Sequence, residues 1–195
     1  MIIVDTETTG IDPSKNALAS IGAIEFVNPK NTFYVEIRMD DKSEIDPESL
    51  KITGFSEKEL RDPNKPQLKD ALRSFASWFS DCTSHILTGH NIWFDKAFLD
   101  EGFKKINLGV PYAKRTIDLH PLAFMHFLHD THEIPMSNGH SKLDSDHIFK
   151  YVGITETRGK HNALEDAKLT AEAVSRILYN QQLIDEYRKF PIPWK

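Results

Sequence analysis

The chain has 195 residues, of which 39% are hydrophobic and 27% charged, and its formal net charge is −5. This size and composition predict one globular domain with a full core. No apolar run approaches the roughly 20 residues that a membrane-spanning helix needs, so we expect no membrane partner. The N-terminus lacks the features of a secretory signal peptide, and Cys82 has no second cysteine to pair with, so we expect a cytoplasmic protein.

The N-terminal part of the chain has the pattern of three strands. Residues 1–7 and 18–27 are rich in β-favouring apolar side chains. A turn is predicted at 28–31, and apolar and polar side chains then alternate over 33–38 with the period of a strand. Strands in quick succession, joined by a tight turn, predict an antiparallel meander.

The pattern then changes to that of helices. Apolar side chains recur at helical spacing over 67–80, and a short strand is predicted at 85–90. Further helices are predicted to begin at Asp95 and Asp118 and to cover 143–152 and 163–179, with a polar loop at 130–142 and an irregular tail at 187–195. Strands followed by helices over one core predict a mixed α/β domain.

Two acidic side chains lie at the end of the first predicted strand. Residues two apart in a strand point to the same face, so Asp5 and Glu7 present paired carboxylates after an apolar run. Such a pair persists when a divalent cation neutralises it, and we interpret it as a metal site rather than a solvated strand end. The net negative charge argues against a broad basic surface for nucleic acid, but it does not exclude an enzyme that holds phosphate through bound cations.

Two more acidic residues and a histidine follow at a distance in the chain. Asp95 lies at the start of a predicted helix, where contact with the helix dipole is by itself a sufficient explanation. Asp166 adjoins the apolar face of the last predicted helix, so its carboxylate is expected to point inward and to need a metal or an ion pair. His161 precedes this helix, and considered alone it is better explained as an exposed loop residue.

In this order the segments resemble the three motifs of the DnaQ-like 3′→5′ exonuclease family, subgroup DEDDh. The motifs correspond to Asp5-Thr6-Glu7-Thr8-Thr9-Gly10, to His90-Asn91 with Asp95, and to His161 with Asp166. Residues 52–54 resemble a short turn that follows the third strand in the family. The resemblance covers roughly residues 1–180, which we take as the exonuclease domain, and leaves 181–195 as a helix end and tail.

The resemblance implies a ribonuclease H-like fold, in which helices flank a mixed five-stranded sheet made of an antiparallel meander and parallel strands. It implies a hydrolase that releases nucleoside monophosphates from 3′ ends with two Mg²⁺ or Mn²⁺ ions in each active site. One ion would activate a water and the other would stabilise the leaving oxygen, while His161 would accept the proton from that water. The implied metal ligands are Asp5, Glu7, Asp95 and Asp166, and these four residues and His161 are the implied catalytic set.

Substrate contacts follow from the same resemblance. Main-chain groups around Thr6 and Thr8 would hold the terminal nucleotide, and an apolar residue near Leu18 would pack on its base. Asn91 and Phe94 are predicted to shape the same pocket, although core packing explains Phe94 better than substrate contact does.

The motifs leave the substrate and the partners open. Single-stranded or frayed 3′ ends of DNA are the predicted substrate, and trimming of RNA is the alternative, because recognition of the 2′-hydroxyl depends on pocket detail. A DNA polymerase partner and a homodimer are both open. Residues 181–185 resemble a ligand of a polymerase clamp, but we expect them to continue the surface of the last helix.

Two other classes of protein compete with this interpretation. Five histidines between positions 120 and 140 suggest a zinc enzyme, but no Cys or His-Glu pair completes a recognised zinc arrangement. These histidines are His120, His126, His129, His132 and His140. A catalytically inactive nucleic-acid-binding module is the second alternative, and the presence of every acidic position and of the histidine argues against it.

Overall fold

The computed structural model of the chain describes residues 1–155 and 159–195. A five-stranded sheet forms its centre, in the order β3-β2-β1-β4-β5. The strands are β1 (Ile2–Thr8), β2 (Leu18–Glu25), β3 (Asn28–Glu36), β4 (Leu87–Gly89) and β5 (Ile117–Asp118), and a separate hairpin joins β6 (Met136–Ser137) to β7 (His140–Ser141). The first three strands pair antiparallel, whereas β1, β4 and β5 pair parallel, so the predicted mixed sheet is confirmed.

Helices cover both faces of this sheet. They are α1 (Pro47–Thr53), α2 (Glu57–Leu60), α3 (Leu68–Ser80), α4 (Ile92–Lys105), α5 (Leu119–Thr131), α6 (Ser145–Tyr151) and α7 (Ala163–Tyr179), and a 3-10 turn covers Asp185–Tyr187. Within the described parts of the chain, none of these helices combines the length and the apolar composition that crossing a lipid bilayer requires.

Alternation along β1 divides the core into two layers. Ile2 and Val4 pack with the residues of α3 and α4, whereas Ile3 packs with those of α5, α6 and α7. Because side chains alternate along a strand, Thr6 faces α4, and Asp5 and Glu7 face α7. The strand therefore presents its two acidic side chains to the last helix of the domain.

The structure corrects several local predictions. The turn between β2 and β3 lies at residues 26–27 rather than at 28–31, and Pro29 fits inside β3 because β3 is an edge strand, where one side of the backbone needs no partner. The predicted loop at 130–142 contains the β6–β7 hairpin. Residues 52–54 are not a turn after a strand, because they end α1, where Gly54 takes a left-handed conformation (φ 72°).

The prediction for the segment after α7 is also wrong. The helix ends at Tyr179, where Asn180 takes a left-handed conformation (φ 53°), so residues 181–184 do not continue a helix surface. This segment turns back and packs on α7 through two side chains that are fully buried, Glu172 and Arg176. The tail thus contributes to the core instead of extending from it.

The buried pair explains how the tail is held. Arg176 Nε donates to Glu172 Oε1 at 2.7 Å, and the remaining guanidinium nitrogens donate to backbone carbonyls of Val152, Tyr187, Phe190 and Pro191. Glu172 Oε2 accepts from the backbone N–H groups of Leu183 and Ile184, both at 2.8 Å. Every part of the two charged groups is therefore occupied, as a buried charge requires.

Replacing Arg176 with Met should lower the free energy of unfolding by about 3–5 kcal/mol, because the buried Glu172 carboxylate loses its cation. Adding Glu172→Gln should recover part of this loss, since Gln is uncharged and its oxygen still accepts from the tail. Urea titration measures both effects. Arg188→Met is the control: it removes an exposed ion pair with Asp185 and should cost less than about 1 kcal/mol. Equal losses in the two arginine variants would contradict this account.

Candidate active site

The site is built where α7 begins against the sheet. Gly22 of β2 pairs in register with Asp5 of β1. A Cβ added to Gly22 would lie 2.2 Å from backbone atoms of Ala163 and Leu164, the first residues of α7. Only a glycine allows the first turn of the helix to approach the sheet this closely, and the approach occurs beside Asp5.

The first turn of α7 positions two of the predicted site residues. The Asn162 side chain accepts from the N–H groups of Leu164 and Glu165 and caps the helix. Asp166 is buried, as predicted, and His161 Nδ1 lies 3.4 Å from Asp166 Oδ2. The cap thus fixes the backbone between these two predicted site residues.

Three side chains converge at this point. Glu7, His161 and Asp166 each offer a ligand atom, and the three atoms lie within 4.8 Å of one another. Across residues 1–155 and 159–195, no other three histidine, cysteine or acidic side chains come this close. The group is a candidate metal centre, and the histidines between positions 120 and 140 do not form one.

Asp95 reaches the same end of β1 from the opposite face of the sheet. Its Oδ1 accepts from both the backbone N–H and the hydroxyl of Thr6, each at 2.8 Å. Thr6 is flanked by Asp5 and Glu7, so this contact joins α4 to the strand segment that bears the paired carboxylates. Neither Asp5, which is half-buried, nor Asp95 belongs to the close group of three.

Burial dominates the electrostatics of Asp95. Its carboxyl is 5% exposed, and the loss of hydration raises its pKa to about 7, although the two hydrogen bonds from Thr6 oppose this shift. The negative charge of Asp118 adds to the increase. In the absence of a cation, the protein therefore holds Asp95 in an environment that disfavours its charge.

Asp118 is a structural residue of the site that the sequence indicated only as a helix start. Its carboxylate accepts from the backbone N–H groups of Asn91 and Ile92, which begin α4, and from that of His120 in α5. One side chain therefore caps two helices and fixes the start of α4 before Asp95. No local sequence pattern identified Gly22 as a site residue, because the residues that it adjoins, Ala163 and Leu164, lie far along the chain.

The residues predicted to bind substrate lie around this region. Thr8 Oγ1 donates to the carbonyl of Gly10 at 2.6 Å, and Leu18 is buried beside it, in register across the β1–β2 pair. Asn91 is exposed with a left-handed backbone (φ 52°), and Phe94 is half-buried with its ring 5.0 Å from that of Phe98. Their substrate roles stay predictions.

Comparison with known proteins places this geometry in a family. A family model described as an exonuclease matches residues 2–174. The chain belongs to this exonuclease family. Three predictions are confirmed: the family, the ribonuclease H-like fold class, and the enzyme class, which is a 3′→5′ exonuclease.

Two curated relatives and a solved structure match nearly the whole of this chain, but the chain spans very different shares of their own lengths. DNA polymerase III subunit epsilon of Haemophilus influenzae is 29% identical over 95% of this chain and 70% of its own length. The PolC-type DNA polymerase III of Thermotoga maritima is 28% identical over 91% of this chain, which spans only 12% of that protein. The crystal structure of E. coli exonuclease I with a dA16 oligonucleotide has a TM-score of 0.72 at 22% identity, over 92% of this chain and 41% of that one.

Replacing Gly22 with Ala should displace the first turn of α7 from the sheet, because the new methyl group would overlap backbone atoms at 2.2 Å. We expect a loss of about 1–3 kcal/mol in stability and about 10²-fold in nuclease rate, since Asp166 and His161 move with the helix. Gly109→Ala is the matched control, because a Cβ there meets open space. Unchanged activity in Gly22→Ala would contradict the positioning role.

Replacing Asp95 with Asn should stabilise the metal-free protein at pH 8 but not at pH 4. The folded-state pKa of Asp95 is raised, so the wild type loses stability as the pH rises from about 4 to about 7, on the order of 4 kcal/mol. Asn removes this loss and keeps an oxygen that accepts from Thr6. Thermal melts in EDTA at both pH values measure the difference. The control is Asp70→Asn, at an exposed position, which should change the free energy of unfolding by less than about 0.5 kcal/mol at either pH.

Proposed function

We propose that this chain is a divalent-metal-dependent 3′→5′ exonuclease that releases nucleoside monophosphates from the 3′ ends of DNA in proofreading or repair. The observation that supports it most is the convergence of Glu7, His161 and Asp166 beside Asp5 in a domain of the exonuclease family. Mutual repulsion makes such a concentration of acidic side chains unfavourable unless cations are bound.

The chemistry of the donor set fits two Mg²⁺ or Mn²⁺ ions. Asp5, Glu7, Asp95 and Asp166 offer carboxylate oxygens without any cysteine, and hard oxygen donors suit these ions better than zinc. Asp5, Glu7, Asp95 and Asp166 would hold these ions. When bound, the ions supply an acidified water and neutralise charge on the phosphate.

His161 is the residue that we assign to proton transfer. Its side chain is 35% exposed, so solvent water reaches the ring, and Nδ1 lies 3.4 Å from Asp166 Oδ2. The nearby carboxylate orients the imidazole, which accepts the proton of the attacking water.

The other side chains orient and hold the reacting strand. We assign Thr6, Thr8, Leu18, Asn91 and Phe94 to the terminal nucleotide. Because Asp95 binds both polar groups of Thr6, movement of the strand end would break two hydrogen bonds at once. This contact keeps the backbone of residues 5–7 rigid while a substrate exchanges.

DNA is the substrate that the relatives favour. The Haemophilus influenzae protein is named as a subunit of DNA polymerase III, and exonuclease I was crystallised with a DNA oligonucleotide. For the same reason a DNA polymerase is the protein partner that we propose, and a homodimer is the alternative that sedimentation analysis would detect.

The activity is tested with a DNA oligonucleotide labelled at its 5′ end and an RNA strand of the same sequence. A 3′→5′ exonuclease shortens the labelled strand one nucleotide at a time, releases nucleoside monophosphates, and stops when EDTA is added. Shortening of RNA but not of DNA would assign RNA as the substrate. Failure to shorten either strand with Mg²⁺ or Mn²⁺ would overturn the proposal.

Two variants separate metal binding from proton transfer. Asp166→Asn should lose both Mn²⁺ affinity and activity, because a buried carboxylate ligand becomes neutral. His161→Ala should retain Mn²⁺ binding in calorimetry while its rate falls roughly 10²–10⁴-fold. His147→Ala, an exposed histidine on α6, serves as the control. An equal loss of Mn²⁺ affinity in His161→Ala and Asp166→Asn would make the imidazole a metal ligand instead.

A further inference from the structure

A groove runs along the surface on the side of the sheet that is covered by α3 and α4. Its inner part is lined by Leu18 and Phe98, and its outer part opens between the start of α3 and the end of α4. Arg38, Leu68 and Lys105 line both parts, so the two are continuous. The outer part has a volume of about 650 Å³, which is within the range of ligand pockets.

The inner end of the groove contains one of the predicted substrate residues. Leu18 pairs in register with Thr8, one residue beyond Glu7, whereas none of the proposed metal ligands lines the groove. Leu18 and Phe98 are only 4% and 2% exposed, so their side chains close the inner end, and the outer part is the space that is open to a ligand.

The outer end of the groove is positively charged. Arg38 after β3, Lys69 in the first turn of α3 and Lys105 at the end of α4 line it. Among the described residues, none of these three side chains lies within 4 Å of a carboxylate oxygen, although Lys105 interacts electrostatically with Asp40. Arg38 and Lys105 donate to the backbone carbonyls of Pro63 and Pro13. Three elements thus each contribute one cation to the same groove.

The acidic side chains in the groove do not cancel this charge. Arg61 pairs with both Asp41 and Glu57, so this arginine adds no free positive charge to the groove. Asp40 accepts from the N–H groups of Lys42 and Ser43 and from the Ser43 hydroxyl. Four cationic and two acidic side chains therefore line the groove, which is positive in a chain whose formal net charge is −5.

We propose that this groove binds the phosphate backbone of the nucleic-acid strand whose 3′ end occupies the active site. The proposal rests on the proposed nuclease function and adds a path for the strand away from the metal centre. Arg38, Lys69 and Lys105 hold phosphates further from the 3′ end than the phosphate that the metal centre would hold. The charge of the groove fits a polyanion and does not fit a cationic or apolar peptide.

The test compares a long substrate with a short one in the full-length protein. The variant R38Q/K69Q/K105Q removes the three cations, and K30Q/K150Q/K195Q is the control with the same change in net charge at exposed positions outside the groove. The long substrate is a 20-nucleotide single-stranded DNA. The short substrate is the p-nitrophenyl ester of thymidine 5′-monophosphate, which reports hydrolysis at the metal centre without a strand in the groove.

The groove variant should raise KM for the oligonucleotide about 10- to 100-fold while kcat for the ester changes less than about twofold. The dependence of log KM on log salt concentration should become shallower by about 2, because each lost phosphate contact on a single strand removes about 0.7. The control variant should change neither quantity.

Three results would overturn the groove assignment. They are an unchanged KM and salt slope in the groove variant, an equal effect in the control variant, and a parallel loss of ester hydrolysis, which would indicate damage to the site itself. Failure of the proposed function has a different signature, since the wild type would then hydrolyse neither substrate. A wild type that cleaves both substrates, with a groove variant that behaves identically, rejects the groove alone.

Discussion

The length difference between two neighbouring strands determines the architecture of the site. The N–H of Ile2 donates to the carbonyl of Ile86 on the side of β4, and N–H groups alternate along a strand, so that of Thr6 points to the same side. However, β4 ends at Gly89 and pairs only with the beginning of β1. The N–H of Thr6 therefore lacks a strand partner, and a buried N–H without one would cost about 1–3 kcal/mol. The carboxylate of Asp95 takes the place of the missing strand.

Because the Asp95 carboxylate replaces a strand partner, acidic groups lie close together, and their negative charges destabilise the site in the absence of cations. Asp95 is buried beside the strand segment that bears Asp5 and Glu7, and burial raises its pKa. The same hydrogen bonds that complete the backbone of Thr6 also favour the ionised carboxylate and partly offset its desolvation. Stability and function thus oppose each other at Asp95: a neutral residue suits the metal-free fold, and a charged one suits a metal centre.

The sequence was sufficient for features that depend on local periodicity. Residues 163–179 have one apolar face, and the helix α7 covers the same range. The short helices α1 and α2 have too few turns to produce such a face, although Asp46-Pro47 at the start of α1 and Gly54 at its end are recognisable caps. The close approach of Gly22 to Ala163 could not be predicted, because a local sequence pattern does not indicate which distant backbone segments contact each other. The motif order identified the acidic residues, but it did not tell which of them lie within reach of one ion.

The placement of Asp166 depends on α7 being fixed at both ends. Its first turn is pressed on Gly22, and 17 residues of helix extend for ~25 Å to the far end. There the buried Glu172 and Arg176 side chains bind the returning tail, so the helix is enclosed by the sheet on one side and by residues 183–191 on the other. A helix is stiff over this length, and rotation about its axis would expose both charged groups of the buried pair. The tail therefore acts on the site through the helix: it resists the rotation that would turn Asp166 away from Glu7.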